Sequence, residues 1–284
     1  MIPIIDTHQH LIYPKFFGYD WVKDIDILNN KSFTAKNYTS AAKDCNIIRS
    51  LSMETGVNET DYQKEAMFFS NLSHTEDMIS AIISSIRPED DEKQFDAWLD
   101  YCQTLNIKGF RRITHVMPDE LTQSTLYRKN LRKIASKGYC SDIIFMASQL
   151  DIAAELVAAV NNGPLILNHC GNPTLHDADF GRWAKSITKL SQYPHLYCKI
   201  SGIIVNGGLK KTNIETIRLY IEHIIISFGW DRIVWGSDWP VCNITSNIKS
   251  WVEMCRQIVI DEPIGNQEKL FFKNAQHIYN IDNL

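Results

Sequence analysis

The sequence predicts an α/β fold, a single (β/α)8 barrel over residues 1–284 with a long insertion after the first strand. Short apolar runs alternate with stretches of helical periodicity from one end of the chain to the other. Eight such runs can be distinguished, and no glycine-rich phosphate loop follows the first of them. This pattern favours a closed barrel over a doubly wound nucleotide-binding sheet. No low-complexity linker divides the chain, so one domain is the simpler account.

The predicted strands are the short apolar runs. They cover Ile4 to Asp6, Ile48 to Met53, Ile79 to Ile86, Ile107 to Ile113, Asp142 to Ala147, Leu165 to Asn168, Leu196 to Ser201 and Ile233 to Ser237. Amphipathic spacing is clearest over residues 95–105 and 214–228, which we expect to be crossover helices. Residues 11–37 are rich in aromatic side chains and too irregular for one helix. They predict an insertion that acts as a lid over the barrel mouth.

Composition narrows the class of protein. The net charge is −4, and no lysine and arginine cluster interleaved with aromatic residues stands out, which favours a small-molecule partner over nucleic acid. A candidate site already begins at His8, so we expect no signal peptide before it. No apolar run approaches the length of a membrane span. The seven cysteines form no C-x-x-C pair. We therefore expect reduced thiols, a cytoplasmic location and no membrane partner; a homo-oligomer stays open.

Three of the strand ends carry side chains that can bind a metal ion or a substrate. His8 and His10 lie one residue apart at the end of the first strand, so their rings point to the same side. His169 follows the sixth strand and Asp238 the eighth. Each has an ordinary alternative, because the histidines can be polar strand-end residues bonded to carbonyls and Asp238 can cap a turn before Pro240.

The position of these residues supports a common site. Catalytic groups of (β/α)8 barrels lie at the carboxyl ends of the strands. Glu54 ends the second strand, Arg111 lies late in the fourth, and Lys199 lies late in the seventh. A purely structural role would not concentrate polar residues at one rim, so the bias predicts a site at the barrel mouth.

Six motifs follow one another along the predicted strands. They are Ile5-Asp6-Thr7-His8-Gln9-His10-Leu11, Ser52-Met53-Glu54, Gly109-Phe110-Arg111, Asn168-His169-Cys170-Gly171-Asn172-Pro173, Tyr197-Cys198-Lys199-Ile200-Ser201-Gly202 and Gly236-Ser237-Asp238-Trp239-Pro240-Val241. In this order they resemble the motifs of the amidohydrolase superfamily, whose members are TIM barrels, and within it those of the amidohydrolase-2 group. That group includes sugar-acid lactonases of the L-fuconolactonase and L-rhamnonolactonase types and the pyrone-dicarboxylate lactonase. The resemblance spans nearly the whole chain.

The resemblance implies hydrolysis of a small lactone, expected to be that of a sugar acid. Asp238 would be the general base that takes a proton from the attacking water and passes it toward the leaving alkoxide. His8, His10 and His169 would bind one divalent ion, expected to be Zn²⁺, with Asp238 as a further ligand. In metal-independent members the histidines instead polarise the carbonyl directly, so His169 is a catalytic candidate in either case.

Departures from the wider superfamily limit the metal count. Binuclear members carry a carbamylated lysine on strand four, whereas Lys108 precedes Gly109 and so falls near the beginning of that strand. The fifth strand ends in Phe145-Met146-Ala147 without a histidine. The resemblance therefore implies one metal ion or none.

Five further residues are candidates for substrate binding: Glu54, Arg111, Lys199, Trp21 and Trp239. Glu54 and Arg111 can instead form a buried ion pair, although Arg111 can also bind a substrate carboxylate with two hydrogen bonds. Lys199 can neutralise an oxyanion or pair with an acid outside the barrel. The two tryptophans can stack on a sugar ring or simply pack in a lid or turn.

Two alternatives to a lactonase stay open. Related barrels include metal-dependent decarboxylases with similar ligands, and the incomplete ligand set is also compatible with a non-catalytic barrel that binds sugar acids. His115 and His176 follow strands four and six closely and are further candidates for the rim, although solvent-facing loop positions are more common.

Overall fold

The computed structural model describes residues 1–175, 177–208 and 212–281. His176 therefore lies outside the described residues. Eight parallel strands follow one another in chain order around the sheet. They are β1 (Ile4–Gln9), β2 (Ile47–Met53), β3 (Ile79–Ser85), β4 (Ile107–Arg112), β5 (Cys140–Ile143), β6 (Leu165–Leu167), β7 (Leu196–Ile200) and β8 (Ile233–Trp235). The predicted (β/α)8 barrel is confirmed.

Seven of the eight strands end at a residue other than the predicted one, and β2 alone ends as predicted, at Met53. β1 continues to Gln9, three residues further than predicted. β5 begins two residues earlier than predicted and ends four residues earlier, before the 3-10 turn Ala147–Gln149. β6 ends at Leu167 and β8 at Trp235, one and two residues earlier than predicted. His169 and Asp238 consequently lie in tight turns beyond their strands rather than at the last strand position.

The barrel is nearly closed between its first and last strands. Gln9 and Trp239 form a parallel bridge just beyond β8. The His10 N–H donates to the Trp239 carbonyl at 2.6 Å, and the Asp238 N–H donates to the His8 carbonyl at 2.7 Å. These bonds bring the two histidines of β1 alongside Asp238.

The described helices cover the outside and the lower end of the barrel. They are α1 (Ala35–Ala42), α2 (Tyr62–Ser73), α3 (Glu92–Cys102), α4 (Glu120–Gln123), α5 (Thr125–Ser136), α6 (Leu150–Ala159), α7 (Asp177–Leu190), α8 (Ile203–Asn206), α9 (Ile214–Phe228), α10 (Ile248–Ile258), α11 (Ile264–Glu268) and α12 (Asn274–Ile278). The expected crossover helices at 95–105 and 214–228 correspond to α3 and α9. Tyr279, just after α12, packs against inward-facing strand residues such as Ile5 and Val234, so the C-terminal segment closes the barrel opposite its mouth.

The insertion after β1 has a small apolar core of its own. Ile12, Phe17, Tyr19, Val22 and Leu28 pack together and are buried. Its two ends are tied by an antiparallel bridge, and a capping box at Thr34 then starts α1. The segment is therefore folded, and it can hold side chains in fixed positions near the mouth. Within the described part of the chain, no helix combines the length and the apolar character that crossing a bilayer requires.

Candidate active site

A cavity of about 530 Å³ opens at the carboxyl ends of the strands. Residues at or just beyond the ends of all eight strands contribute to its walls, together with the insertion after β1. Its size falls within the range of pockets that bind small molecules. Among the predicted site residues, those that line it are His10, Trp21, Glu54, Arg111, His169 and Asp238.

His8, His10 and Asp238 form a compact group, of which His10 and Asp238 line the cavity and His8 does not. The Nε2 atoms of the two histidines are 3.1 Å apart. The Asp238 Oδ1 atom lies 3.6 Å from the His8 Nε2 and 3.5 Å from the His10 Nε2. All three side chains are buried. We call these three residues the histidine–aspartate group.

The backbone around this group is fixed by a second carboxylate. Asp6 Oδ1 accepts hydrogen bonds from the N–H groups of His8 and Ser237, and Asp6 Oδ2 accepts one from the Tyr38 hydroxyl. Asp238 itself has a φ of 56°, in the left-handed region that aspartate tolerates better than most residues. Asp6 therefore joins the ends of β1 and β8 and sets the direction of both functional segments.

The histidine–aspartate group fits a metal ion by its ligand spacing. Zn–N bonds of about 2.0–2.1 Å place two ligand atoms of a tetrahedron roughly 3.3 Å apart, close to the separations of 3.1, 3.5 and 3.6 Å found here. Three donor atoms within 4.8 Å of one another form the kind of cluster that holds a divalent cation. Imidazole and carboxylate are also the ligand types that Zn²⁺ accepts.

His169 enters the cavity from an unusual turn. Four consecutive residues, His169 to Asn172, have positive φ angles. The His169 Nδ1 atom lies 2.9 Å from the Ser201 hydroxyl, and its ring centroid is 4.6 Å from that of His8. A Cβ atom on Gly202 would lie 2.3 Å from the His169 Nδ1, so only glycine leaves room for this ring. His169 is adjacent to the histidine–aspartate group without being one of its three members, and its role as a metal ligand stays a prediction.

Glu54 and Arg111 form the buried ion pair that was one of the two expectations for them. The Arg111 Nε donates to the Glu54 Oε1 at 2.6 Å, and the Arg111 Nη2 donates to the Glu54 carbonyl at 3.1 Å. The Arg111 Nη1 lies 3.3 Å from the His8 Nε2. Because both residues also line the cavity, their pairing is compatible with a contact to substrate. The charges of Glu54 and Arg111 cancel, so the carboxylate of Asp238 gives the site a net charge of −1. A negative site favours the binding of a cation.

Burial and neighbouring charges set the protonation of these groups. Burial lowers the pKa of His8 well below its usual value, with His169 and Lys199 adding to the effect. Burial likewise lowers the pKa of His169 to about 4. Burial alone would raise the pKa of Asp238, but His169 and a hydrogen bond from His10 outweigh it, so the pKa lies below the usual value. At neutral pH Asp238 is therefore ionised, while His8 and His169 are uncharged.

Lys199 and Trp239 do not line the cavity, which differs from their expected contact with substrate. The Lys199 ammonium is fully buried and binds Asp142 at 2.5 Å and the Thr7 carbonyl at 3.0 Å. Its acid partner is thus inside the barrel, not outside it. The Trp239 ring packs against Phe33 and Tyr38, which is the packing role that was its alternative.

Several cavity residues were not among the sequence-based candidates. Among them, Arg87, Glu59 and Tyr62 line the wall beside β3 and β4. Arg112, which the sequence places late in the fourth strand, and the rim candidate His115 line the cavity on the same side. Burial lowers the pKa of His115 to about 4, so it is neutral at neutral pH. The available signal for Arg87 was position, because it lies just after the end of β3, as the recognised residues do at other strands.

Comparison with known proteins agrees with this arrangement. A family model described as Amidohydrolase matches residues 5–281. The L-fucono-1,5-lactonase of Burkholderia multivorans is 23% identical over 273 residues, which are 88% of each chain. A solved amidohydrolase from Burkholderia multivorans with bound Zn has a TM-score of 0.90 at 20% identity, covering 99% of this chain and 100% of that one. A putative 2-pyrone-4,6-dicarboxylic acid hydrolase from Pseudomonas putida has a TM-score of 0.79 at 16% identity, covering all of both chains.

Proposed function

The chain belongs to the amidohydrolase family and is a hydrolase, and on that basis we propose that it opens the ring of a small lactone, that of a sugar acid. The observation that carries the proposal is the ionised, buried carboxylate of Asp238, which lines the cavity and lies within 3.6 Å of two imidazole nitrogens. Relatives named as lactonases, although only 23% and 22% identical, support the choice of a cyclic ester.

Asp238 acts as the general base. Hydrolysis of an ester requires a water molecule to lose a proton as its oxygen attacks the carbonyl carbon. The low pKa of Asp238 keeps its carboxylate ready to take that proton. The same carboxyl group then gives the proton to the alkoxide that leaves when the ring C–O bond breaks, so Asp238 returns to its ionised state.

His169 can serve the carbonyl oxygen in one of its two tautomers. When the Ser201 hydroxyl donates to Nδ1, the ring proton resides on Nε2 and can be donated to the developing negative charge on that oxygen. When Nδ1–H instead donates to Ser201, Nε2 is a lone-pair donor suited to a metal ion. Ser201 therefore holds the ring in place for either role.

A divalent ion, for which we propose Zn²⁺, would be held by His8, His10 and Asp238, and when bound it would polarise the ester carbonyl and make a water molecule more acidic. The remaining contribution comes from the cavity wall. Arg111, fixed by Glu54, and Trp21, whose Nε1 donates to the Thr55 carbonyl at 2.7 Å, orient the substrate above the reacting groups.

The experiment is a proton-release screen of the purified protein against a panel of aldonolactones, together with elemental analysis of its metal content. Asp238→Asn should lower kcat for any substrate found by about 10³-fold, within the range of general acid–base catalysis. Asp44→Asn, the same change at an exposed position after α1, is the matched control and should keep the wild-type rate.

The alternatives give different results. A near-normal rate for Asp238→Asn, in protein whose circular dichroism and melting temperature match the wild type, would remove Asp238 from the chemistry. Release of carbon dioxide from a carboxylated substrate without ring opening would identify a decarboxylase. A lactone that raises the melting temperature but is not turned over would favour a sugar-acid-binding protein.

A further inference from the structure

A cluster of three charged residues lies on the wall of the cavity beside β3 and β4. It consists of Arg87, Arg112 and Glu59, and we call it the arginine cluster. The mechanism above uses none of these residues. The two arginines and the glutamate differ sharply in how firmly the protein holds them.

The arginines are almost completely buried and are held from several sides. The Arg87 Nη1 donates to the Ser85 hydroxyl at 2.7 Å and to the Ile86 carbonyl at 3.1 Å, and its guanidinium lies 4.2 Å from the centre of the Tyr62 ring. The Arg112 Nε donates to Glu89 at 2.8 Å. Only 6% of the Arg87 side chain and 10% of the Arg112 side chain are exposed. Both charges are therefore in fixed positions.

Glu59, in contrast, is 65% exposed although its carboxylate faces the arginines. Its Oε1 contacts the Arg87 Nε, its Oε2 accepts from the Arg87 Nη2 at 3.0 Å, and Oε2 lies 3.6 Å from the Arg112 Nη1. It belongs to the short 3-10 turn Glu59–Asp61, in which no residue is buried. Because the Glu59 side chain is exposed and lies in a turn without buried residues, it can turn into solvent when another anion takes its place beside the arginines.

We propose that Arg87 and Arg112 bind a carboxylate of the substrate in the place that Glu59 occupies, so that the enzyme prefers lactones that carry a free carboxylate. This inference rests on the proposed function for the lactone ring, but the anion site itself does not depend on it. Arg87 offers the two parallel N–H groups that recognise a carboxylate in a bidentate manner, and Glu59 already occupies that geometry.

Charge argues for an anion rather than a neutral sugar hydroxyl. Arg87 forms its ion pair with Glu59, and Arg112 pairs with Glu89 and lies near Glu59, while Asp90 adds a further negative charge close to both arginines. When Glu59 turns outward, the Arg87 guanidinium loses its carboxylate partner in a partly desolvated wall, and a neutral group cannot replace that carboxylate. A carboxylate restores both the charge balance and the two hydrogen bonds of Arg87.

The test is calorimetric titration with glutarate, a simple dicarboxylate that undergoes no hydrolysis. We expect Glu59→Gln to tighten glutarate binding about tenfold, because the competing carboxylate is lost, and Arg87→Met to weaken it about tenfold. Glutaramide, the neutral counterpart, should bind to none of these proteins. Glu268→Gln removes the same charge from an exposed ion pair with Lys273 and should leave the affinity at the wild-type value.

Arg112→Gln replaces Arg87→Met if the latter fails to fold, and it should also weaken binding. Unchanged glutarate affinity in Glu59→Gln and in the arginine variant would overturn the proposal and would assign any binding to the histidine–aspartate group. Equal effects on glutaramide would also overturn it. Because no step of this titration needs turnover, it stays decisive even if no lactone is hydrolysed; where one is, Glu59→Gln should lower KM for a carboxylated lactone about tenfold.

Discussion

Two buried polar groups lie inside the same barrel, and they are built in opposite ways. Deep in the barrel, Lys199 and Asp142 form a network that is closed by Asn168 and Tyr279, whose side chains donate to the two Asp142 oxygens at 2.6 and 3.2 Å. At the mouth, the histidine–aspartate group contains polar atoms that lack hydrogen bonds within the described part of the chain. The Nδ1 atoms of His8 and His10 are buried and have no hydrogen-bond partner among the described residues.

The difference separates stability from function. Buried polar groups are almost always hydrogen-bonded, so a satisfied network is what rigid support requires. The Nε2 atoms of the same two histidines crowd together beside a carboxylate, an arrangement that a bound cation can compensate. The deep network therefore holds the strands in register, whereas the mouth is arranged for something that binds there. The first three predictions below change one of these two regions, and the last concerns a buried carboxyl group outside both.

The largest effect is expected from breaking the deep network. Lys199→Met removes the buried ammonium and leaves Asp142 as an uncompensated carboxylate. Loss of one partner of a buried ion pair costs about 3–5 kcal/mol, so the free energy of unfolding should fall by about 4 kcal/mol in urea denaturation. The folded fraction should keep its metal content.

A double variant tests whether the cost comes from the unpaired charge. Lys199→Met combined with Asp142→Leu leaves no charge in the deep network, and it should recover part of the lost stability. A single Lys199→Met variant that loses less than about 1 kcal/mol would contradict the supporting role that we assign to this network.

The next effect is expected at the mouth. His10→Gln should lower kcat about 10²-fold, since one member of the histidine–aspartate group is lost, and should lower the metal content where metal is found. Its free energy of unfolding should stay within about 1 kcal/mol of the wild type.

The control for this variant is His74→Gln, which makes the same exchange at an exposed residue after α2. It should leave rate and metal content unchanged. If His10→Gln instead destabilised the chain as much as Lys199→Met does, the two regions would not differ in the way proposed.

A smaller effect is expected from crowding His169. Gly202→Ala introduces a Cβ atom that would overlap the His169 ring, and displacement of a catalytic group by a fraction of an ångström should lower kcat about tenfold. Gly208 has a similar φ of 60° but nothing within 4 Å of its Cβ position. Gly208→Ala thus carries the same backbone strain without the contact, and it should keep the wild-type kcat. Equal loss in both variants would assign the effect to strain alone.

The eight strands could be predicted because most of their residues are buried on both faces of a parallel sheet, so that each strand contains or borders a short apolar run. The ends of β6 and β8 could not, because they depend on tertiary contacts. His169 to Asn172 have positive φ angles, and the His169 ring fits against Gly202, which lies just beyond the end of β7 and far away along the chain. No local pattern of apolar and polar residues contains that information.

The same limit explains which site residues were predicted well. His8, His10 and Asp238 belong to motifs that a resemblance can identify, and the structure brings them together. Lys199 shares a strand face with Ser201, but it lies two residues, roughly 6.6 Å, deeper in the barrel. The alternation of residues along a strand predicts which side chains point into the barrel, but it does not predict how deep the cavity reaches. The position of Lys199 below the cavity therefore could not be predicted.

Glu65 shows a third way in which this barrel buries an ionisable group. Burial and the neighbouring Glu54 raise the pKa of Glu65 to about 8, so this carboxyl group is neutralised by a proton rather than by a partner. In the unfolded chain it loses that proton near its ordinary value of about 4.3. Between these two values the folded chain holds one proton more than the unfolded chain, so this group's contribution to stability falls as pH rises and levels off above about 8.

Glu65→Gln removes that titration and keeps the amide oxygen as an acceptor for the Thr55 N–H, which now bonds to Glu65 Oε1 at 2.8 Å. The free energy of unfolding of the variant minus that of the wild type should therefore rise by about 1.4 kcal/mol for each pH unit between pH 5.5 and 7.5. Urea denaturation at pH 5.5, 6.5 and 7.5 measures this difference. Glu120→Gln, at an exposed position in α4, should run parallel to the wild type. A constant difference between Glu65→Gln and the wild type across this range would mean that Glu65 is ionised in the folded chain. The Arg111 guanidinium would then balance the carboxylates of both Glu54 and Glu65.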